Sequence, residues 1–133
     1  MKASASNITR TLEIGSSLTC ADNSGAKQLK IIGVKAQSSV KSRRNSAGVG
    51  DQVTVRVTKG DQEHKGEVFE AVIIRQRKEF QRPRGIRVGY EDNAAVLYEP
   101  ETGMPKGNRI RGVVAKEVVE RYPQVGKIAS MVV

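Results

Sequence analysis

The chain alternates most clearly at "DQVTVRVTKG", residues 51–60, where Val53, Val55 and Val57 interleave with Thr54, Arg56 and Thr58. A period of two puts one face of a strand in a core and the other in water. Other stretches carry strand character less cleanly. "KQLKIIGVK" (27–35) sets Leu29, Ile31, Ile32 and Val34 among lysines, and residues 18–21 lean apolar. "GEVFEAVIIR" (66–75) ends in an unbroken apolar run, and "IRVGYEDNAAVLYE" (86–99) contains another, Ala94 to Leu97. Gly and polar clusters separate these runs at 22–25, 48–51, 59–61 and 101–103. Short strands so spaced predict a small barrel, a form that removes exposed sheet edges.

The period changes in the last third. In "GVVAKEVVERYP", Val114/Val118 and Ala115/Val119 lie four apart, and Lys116, Glu117, Glu120 and Arg121 fill the other face. That spacing predicts a short amphipathic helix stopped by Pro123. "PQVGKIASMVV" places Val125, Ile128, Ala129 and Val132 at i, i+3, i+4 and i+7, which predicts a second helix. The first 14 residues are Ser-rich and weakly patterned, so they read as a mobile or partner-dependent arm. The expectation is one mainly β domain over 1–133. It comprises an arm (1–14), a barrel (15–111) and a helical C-terminal region (112–133).

A chain of 133 residues fits one domain and can hold a core without staples. The apolar share of 38%, with 13 Gly besides, is that of a globular protein rather than a disordered one. Its 23 basic residues against 14 acidic ones leave a net charge of +9. Self-repulsion of that order costs stability and points to a polyanionic partner. Cys20 is the single cysteine, which excludes an internal disulfide and suits a buried structural thiol. The start, "MKASASNITR", has no apolar signal core, and no run approaches the roughly 20 apolar residues of a membrane helix. A reducing, cytoplasmic setting is the expectation.

Catalysis finds little support. His64, the one histidine, lies in the polar turn "DQEHKG" with no nucleophile beside it. One His and one Cys do not make a zinc site of ordinary ligand count. "AGVGD" (47–51) lacks both the dinucleotide fingerprint and the P-loop pattern, and reads as a turn. Asp51, Asp61, Asp92 and the glutamates are scattered without metal or acid–base spacing. Neither a cofactor nor a metal is expected.

The basic clusters say more. Between Arg75 and Arg87 stand Arg75, Arg77, Lys78, Arg82, Arg84 and Arg87, with Glu79 the one acid. "RPRG" (82–85) has Pro second and Gly fourth, as in a type I turn, so about 75–90 reads as a hairpin projecting from the barrel. "VKSRRNSAG" (40–48) adds Lys41, Arg43 and Arg44, and "MPKGNRIRG" (104–112) adds Lys106, Arg109 and Arg111. Three such loops, rich in arginine's planar fork, point to phosphate binding. Of the five aromatics only Phe80 lies within a basic run. That favours contacts to the backbone and shape of folded RNA or a duplex over base stacking. No basic segment is paired with a strong apolar helix face, so a membrane surface is disfavoured.

Five motifs then stand in order: "CADNSGAK" (20–27), "AGVGD" (47–51), "AVIIRQRK" (71–78), "YEDNAAV" (90–96) and "VVAKEV" (113–118). Together they closely resemble the universal large-subunit ribosomal protein family numbered fourteen, from about Leu18 to the C-terminus. The wording of "IRQRK" and "EDNAAV" is similar to its archaeal and eukaryotic branch. The resemblance implies a small five-stranded β-barrel, a projecting β-ribbon and two short C-terminal α-helices. It implies a structural role in the large subunit, bound to large-subunit ribosomal RNA at the face meeting the small subunit. There the family helps form an intersubunit bridge, touches small-subunit ribosomal RNA and packs against neighbouring ribosomal proteins. In this branch it also implies docking of initiation factor six, which blocks subunit joining. Two departures stand out: Arg84 where the family has Asp or Asn before the turn glycine, and Val113 where it has proline.

On this footing the expected phosphate contacts are Lys41, Arg43, Arg44, Arg75, Arg77, Lys78, Arg82, Arg84 and Arg87, with Lys106 and Arg109. Lys116, Glu117 and Glu120 are expected to point outward as a protein-partner surface. The charge alone would also allow a free RNA-binding or RNA-chaperone barrel. An enzyme of nucleic-acid metabolism would need a metal cluster or acid–base pair that the spacing does not offer.

Overall fold

The alternation of residues 51–60 is realised in a closed sheet. The computed structural model describes residues 6–35 and 45–133. In chain order the elements are β1 (Leu12–Glu13), β2 (Ser17–Cys20), β3 (Ala26–Val34), β4 (Ser46–Ala47), β5 (Gln52–Gly60) and β6 (Val68–Arg75). Then come β7 (Phe80–Gln81), β8 (Arg87–Val88), β9 (Ala94–Glu99), β10 (Met104–Pro105), β11 (Ile110–Val114), α1 (Lys116–Arg121), α2 (Pro123–Ile128) and β12 (Ala129–Val132). Five strands pair in the order β9-β2-β3-β5-β6, and β6 pairs back onto β9, closing the barrel. All these pairings are antiparallel except β2 with β9.

Two cores share one wall. Leu18, Leu29, Ile31, Val53, Val55, Ile73 and Leu97 fill the barrel. Val72, Ile74, Phe80, Val96, Ile110, Val114, Val118 and Val125 form the second cluster, outside it. Strands β6 and β9 are therefore buried on both faces. That is why they read as unbroken apolar runs, while β5, wet on one face, alternates.

Helix α1 ends before Pro123, as its spacing predicts, and Pro123 opens α2. The helical pattern does not carry through to the end. Residues 129–132 form β12, which pairs in parallel with β11, Val113 opposite Met131 and Val114 opposite Val132. β-branched Val suits a strand, and β11 offers it a ladder partner. Val113 thus lies in a strand, and α1 starts at Lys116, so a proline at 113 would not be a first-turn residue.

The arm differs from expectation from Ser6 onward. Asn7 bridges to Gln81, and Leu12, 5% exposed, pairs with Ala47. The arm thereby ties the ribbon to the barrel.

Candidate nucleic-acid interface

The ribbon consists of β7 and β8, with Phe80 opposite Val88 and Gln81 opposite Arg87. The Gly85 N–H bonds the Arg82 carbonyl, and the Arg82 N–H bonds the Ile86 carbonyl. This is a three-residue hairpin loop closed by a glycine bulge. Gly85 takes φ +83°, which a side chain would strain, while Arg84 stays exposed at the tip. Phe80 is fully buried, so the basic ribbon offers no stacking platform. Arg77, Lys78, Arg84 and Arg87 are exposed along it. Arg87 meets Glu79 at 3.9 Å, both side chains about 60% exposed, a contact too wet to hold it.

A second basic surface is built where residues 104–111 lock onto the loop after β2. Asn23 Oδ1 accepts the backbone N–H groups of Asn108 and Arg109, and its amide bonds the Asn108 side chain. The Arg111 N–H bonds the Ala21 carbonyl. The result is an open cleft of about 490 Å³ flanked by Lys27, Arg109 and Arg111. Beneath it Asp22 is fully buried, its charge taken up by the Ser24 hydroxyl and N–H, the Leu97 N–H and the Cys20 thiol. Lys27 and Arg111 also line the adjoining cleft with Thr19, and Thr19 lines the next one with Gln28 and Arg77. The cations therefore follow the outer face of β2 from Arg77 to Arg109. Lys106 lies to one side, its Nζ 3.9 Å from the centre of the Phe69 ring.

Lys27 escapes local sequence reading because it is one lysine in a strand and only the fold gives it arginine neighbours. The same holds for Lys30 and Arg56, exposed and directly opposite on β3 and β5. Like charges so placed weaken a sheet, and an anion lying across them would relieve that.

Three expected site residues are instead engaged in ion pairs with other parts of the chain. Arg75 is 9% exposed; its Nε and Nη2 bond Asp92, and its Nη1 bonds the carbonyls of Arg111 and Val113. Gly112, at φ +80°, makes room for it, since a Cβ there would overlap the guanidinium. Arg82 is turned inward as well. Its Nε and Nη2 bond Glu117, and Nη2 also bonds the Val133 carbonyl. Glu117 does not point outward. It is 3% exposed and accepts from Arg82 and the Ser6 hydroxyl. Lys116 and Glu120 do face solvent. Lys41, Arg43 and Arg44 lie outside the described residues.

Acid–base or metal chemistry has little to work with. Burial, reinforced by Asp22, pushes the Cys20 thiol up to about 12, far from a thiolate at neutral pH. Among the described residues no group of three or more His, Cys, Asp or Glu could hold a metal ion, and no helix is long and apolar enough to cross a membrane.

Residues 11–133 match the family model described as ribosomal protein L14p/L23e. The large ribosomal subunit protein uL14 of Halorubrum lacusprofundi is 48% identical over 133 residues, all of both chains. Its counterparts in Haloarcula marismortui and Methanothrix thermoacetophila are each 47% identical over the same full length. These relatives are archaeal, in keeping with the wording of "IRQRK" and "EDNAAV".

Proposed function

The chain belongs to the ribosomal protein L14p/L23e family of the large ribosomal subunit, and we propose that within it the exposed arginines and lysines grip ribosomal RNA by its phosphates. Members of this family are structural rather than enzymatic parts of the ribosome, and the cytoplasmic ribosome is where this chain works. The observation that carries the RNA reading is the concentration of exposed cations on two surfaces. Arg77, Lys78, Arg84 and Arg87 line the ribbon; Lys27, Arg109 and Arg111 line the β2 cleft, with Lys106 nearby. Lys41, Arg43 and Arg44 join this set by composition. Arg75 and Arg82 serve it indirectly, by fixing the base of the ribbon.

The finer reading is that the chain sits where the two subunits meet. There it helps form an intersubunit bridge and touches small-subunit ribosomal RNA. The exposed face of α1, with Lys116 and Glu120, receives neighbouring ribosomal proteins and initiation factor six. Exposed apolar area is also available at Ile86 on the ribbon tip and at Met131 and Val132 on β12.

The test is sedimentation of tagged protein from extract of its host, with fractions washed in rising salt. Retention at about one copy per large subunit, through a wash that strips nonspecific basic proteins, is the expected result. Release at modest salt, or spread over all RNA-containing fractions, would instead make this a free RNA-binding protein.

A further inference from the structure

A third cationic place lies between the arm and the end of α1, next to the point where Asn7 bridges to Gln81 of the ribbon. It is a cleft of about 520 Å³ opening to solvent, lined by Asn7, Ile8, Arg10, Val49, Asp51 and Arg121 among others. Two guanidinium groups share one carboxylate there. Arg10 Nε stands 3.6 Å from Asp51 Oδ2, and Arg121 Nη1 stands 3.5 Å from Oδ1. Both contacts are long for ion pairs with hydrogen bonds. Asp51 is also held by the Gly48 N–H at 2.8 Å, so its charge is divided further. Arg121 Nη1 bonds the Gly50 carbonyl, while its Nε is buried with no hydrogen-bond partner among the described residues. Arg10 is 53% exposed, and Asp51 is its one ion-pair partner among the described residues. The cleft therefore carries about one positive charge more than its acid neutralises, together with donor N–H groups that the fold does not engage.

Neither arginine belongs to a basic run in the sequence. The site exists only because the arm folds back over residues 48–51 and brings Arg10 opposite Arg121. We infer that this cleft seats a phosphodiester of ribosomal RNA, gripped between Arg10 and Arg121. One phosphodiester matches the one unneutralised charge. The planar forks supply paired N–H donors to its oxygens, and Asp51 spaces the two guanidinium groups. The inference rests on the RNA-binding reading above and adds a contact that does not depend on the ribbon.

The experiment measures binding of the full-length protein to large-subunit ribosomal RNA across a range of KCl concentrations. Wild type is compared with Arg10→Gln/Arg121→Gln and with a ribbon variant, Arg84→Gln/Arg87→Gln. Each lost phosphate contact makes the slope of log affinity against log salt shallower by about 0.7–0.9, the range from single strands to a B-form duplex. The cleft variant is expected to lose about one such increment, with the loss adding to that of the ribbon variant. An unchanged slope and affinity in the cleft variant, with the ribbon variant weakened, would overturn the cleft and leave the family reading intact. Absence of salt-dependent binding in wild type would overturn both. If the double variant fails to fold, Arg10→Gln alone, on an exposed side chain, carries the same comparison. Calorimetric titration with inorganic phosphate separates the sources. Phosphate binding that Arg10→Gln abolishes, without any change in RNA slope, would assign the cleft to a free anion and overturn the RNA assignment.

Discussion

Glu117 is a carboxylate almost without water, 3% exposed, with Ser6 and Arg82 donating to it. Burial pushes its pKa up, but the hydrogen bonds from Arg82 and Ser6 outweigh that and leave it below the usual carboxylate value. Arg82 moves the matching way, raised mainly by its bond to Glu117. A carboxylate lowered in the folded state adds stability above its unfolded pKa of about 4.5, and that stability is lost as pH falls through the lower folded value. Glu117→Gln should therefore cost about 1–3 kcal/mol at pH 7, the range for a buried bonded group left poorly matched. The gap to wild type should close as both are titrated well below pH 4. Denaturant melts at several pH values check this; a gap independent of pH would mean the carboxylate's charge is not what holds the ribbon down. None of this is visible along the chain, because Ser6 and Arg82 lie 111 and 35 residues away in sequence.

Helix α1 separates two jobs by face. Val118 and Glu117 look inward, and Lys116 and Glu120 look out. Reversing the outer charges, Lys116→Glu with Glu120→Lys, should leave the fold and retention on large subunits unchanged while weakening capture of initiation factor six at least several-fold. Pull-down of the factor on washed subunits reads this, and undiminished capture would overturn the docking proposed for α1. The five barrel strands, the body of α1, the start of α2 and the ribbon turn were legible because each depends on near neighbours in sequence: a period of two, a period near four, or Pro83 and Gly85. Strand β12 was not, because Val125, Ile128, Ala129 and Val132 satisfy a helical period equally well, and only the ladder with β11 decides between them. The same limit applies to the site. Arginine-rich loops can be found by eye, but Arg75 and Arg82 face inward because Asp92 and Glu117 wait there. Lys27, Arg10 and Arg121 become cationic clefts only through the fold.

For the whole molecule, salt should act in opposite directions on the free and the bound protein. A net charge of +9 repels itself, and raising the ionic strength from 0.01 to 0.1 M shortens the Debye length from about 30 to about 10 Å. Repulsion between exposed cations such as Lys30 and Arg56 is then screened. The pairs of Arg75 with Asp92 and Arg82 with Glu117 are sheltered and lose much less. The isolated protein should therefore melt at a higher temperature in 0.3 M KCl than in 0.01 M. Relief of about 1 kcal/mol corresponds to a shift of about 4 °C for a domain of this size. Cations that pair with RNA phosphates displace counterions, so on ribosomal RNA added salt should loosen the protein. Thermal melts of free protein and salt washes of the subunit, made over one salt series, test both signs together. A melting temperature that falls with salt would mean that attractive pairs, not surplus cations, dominate the free molecule. The charge would then need no polyanion to explain it.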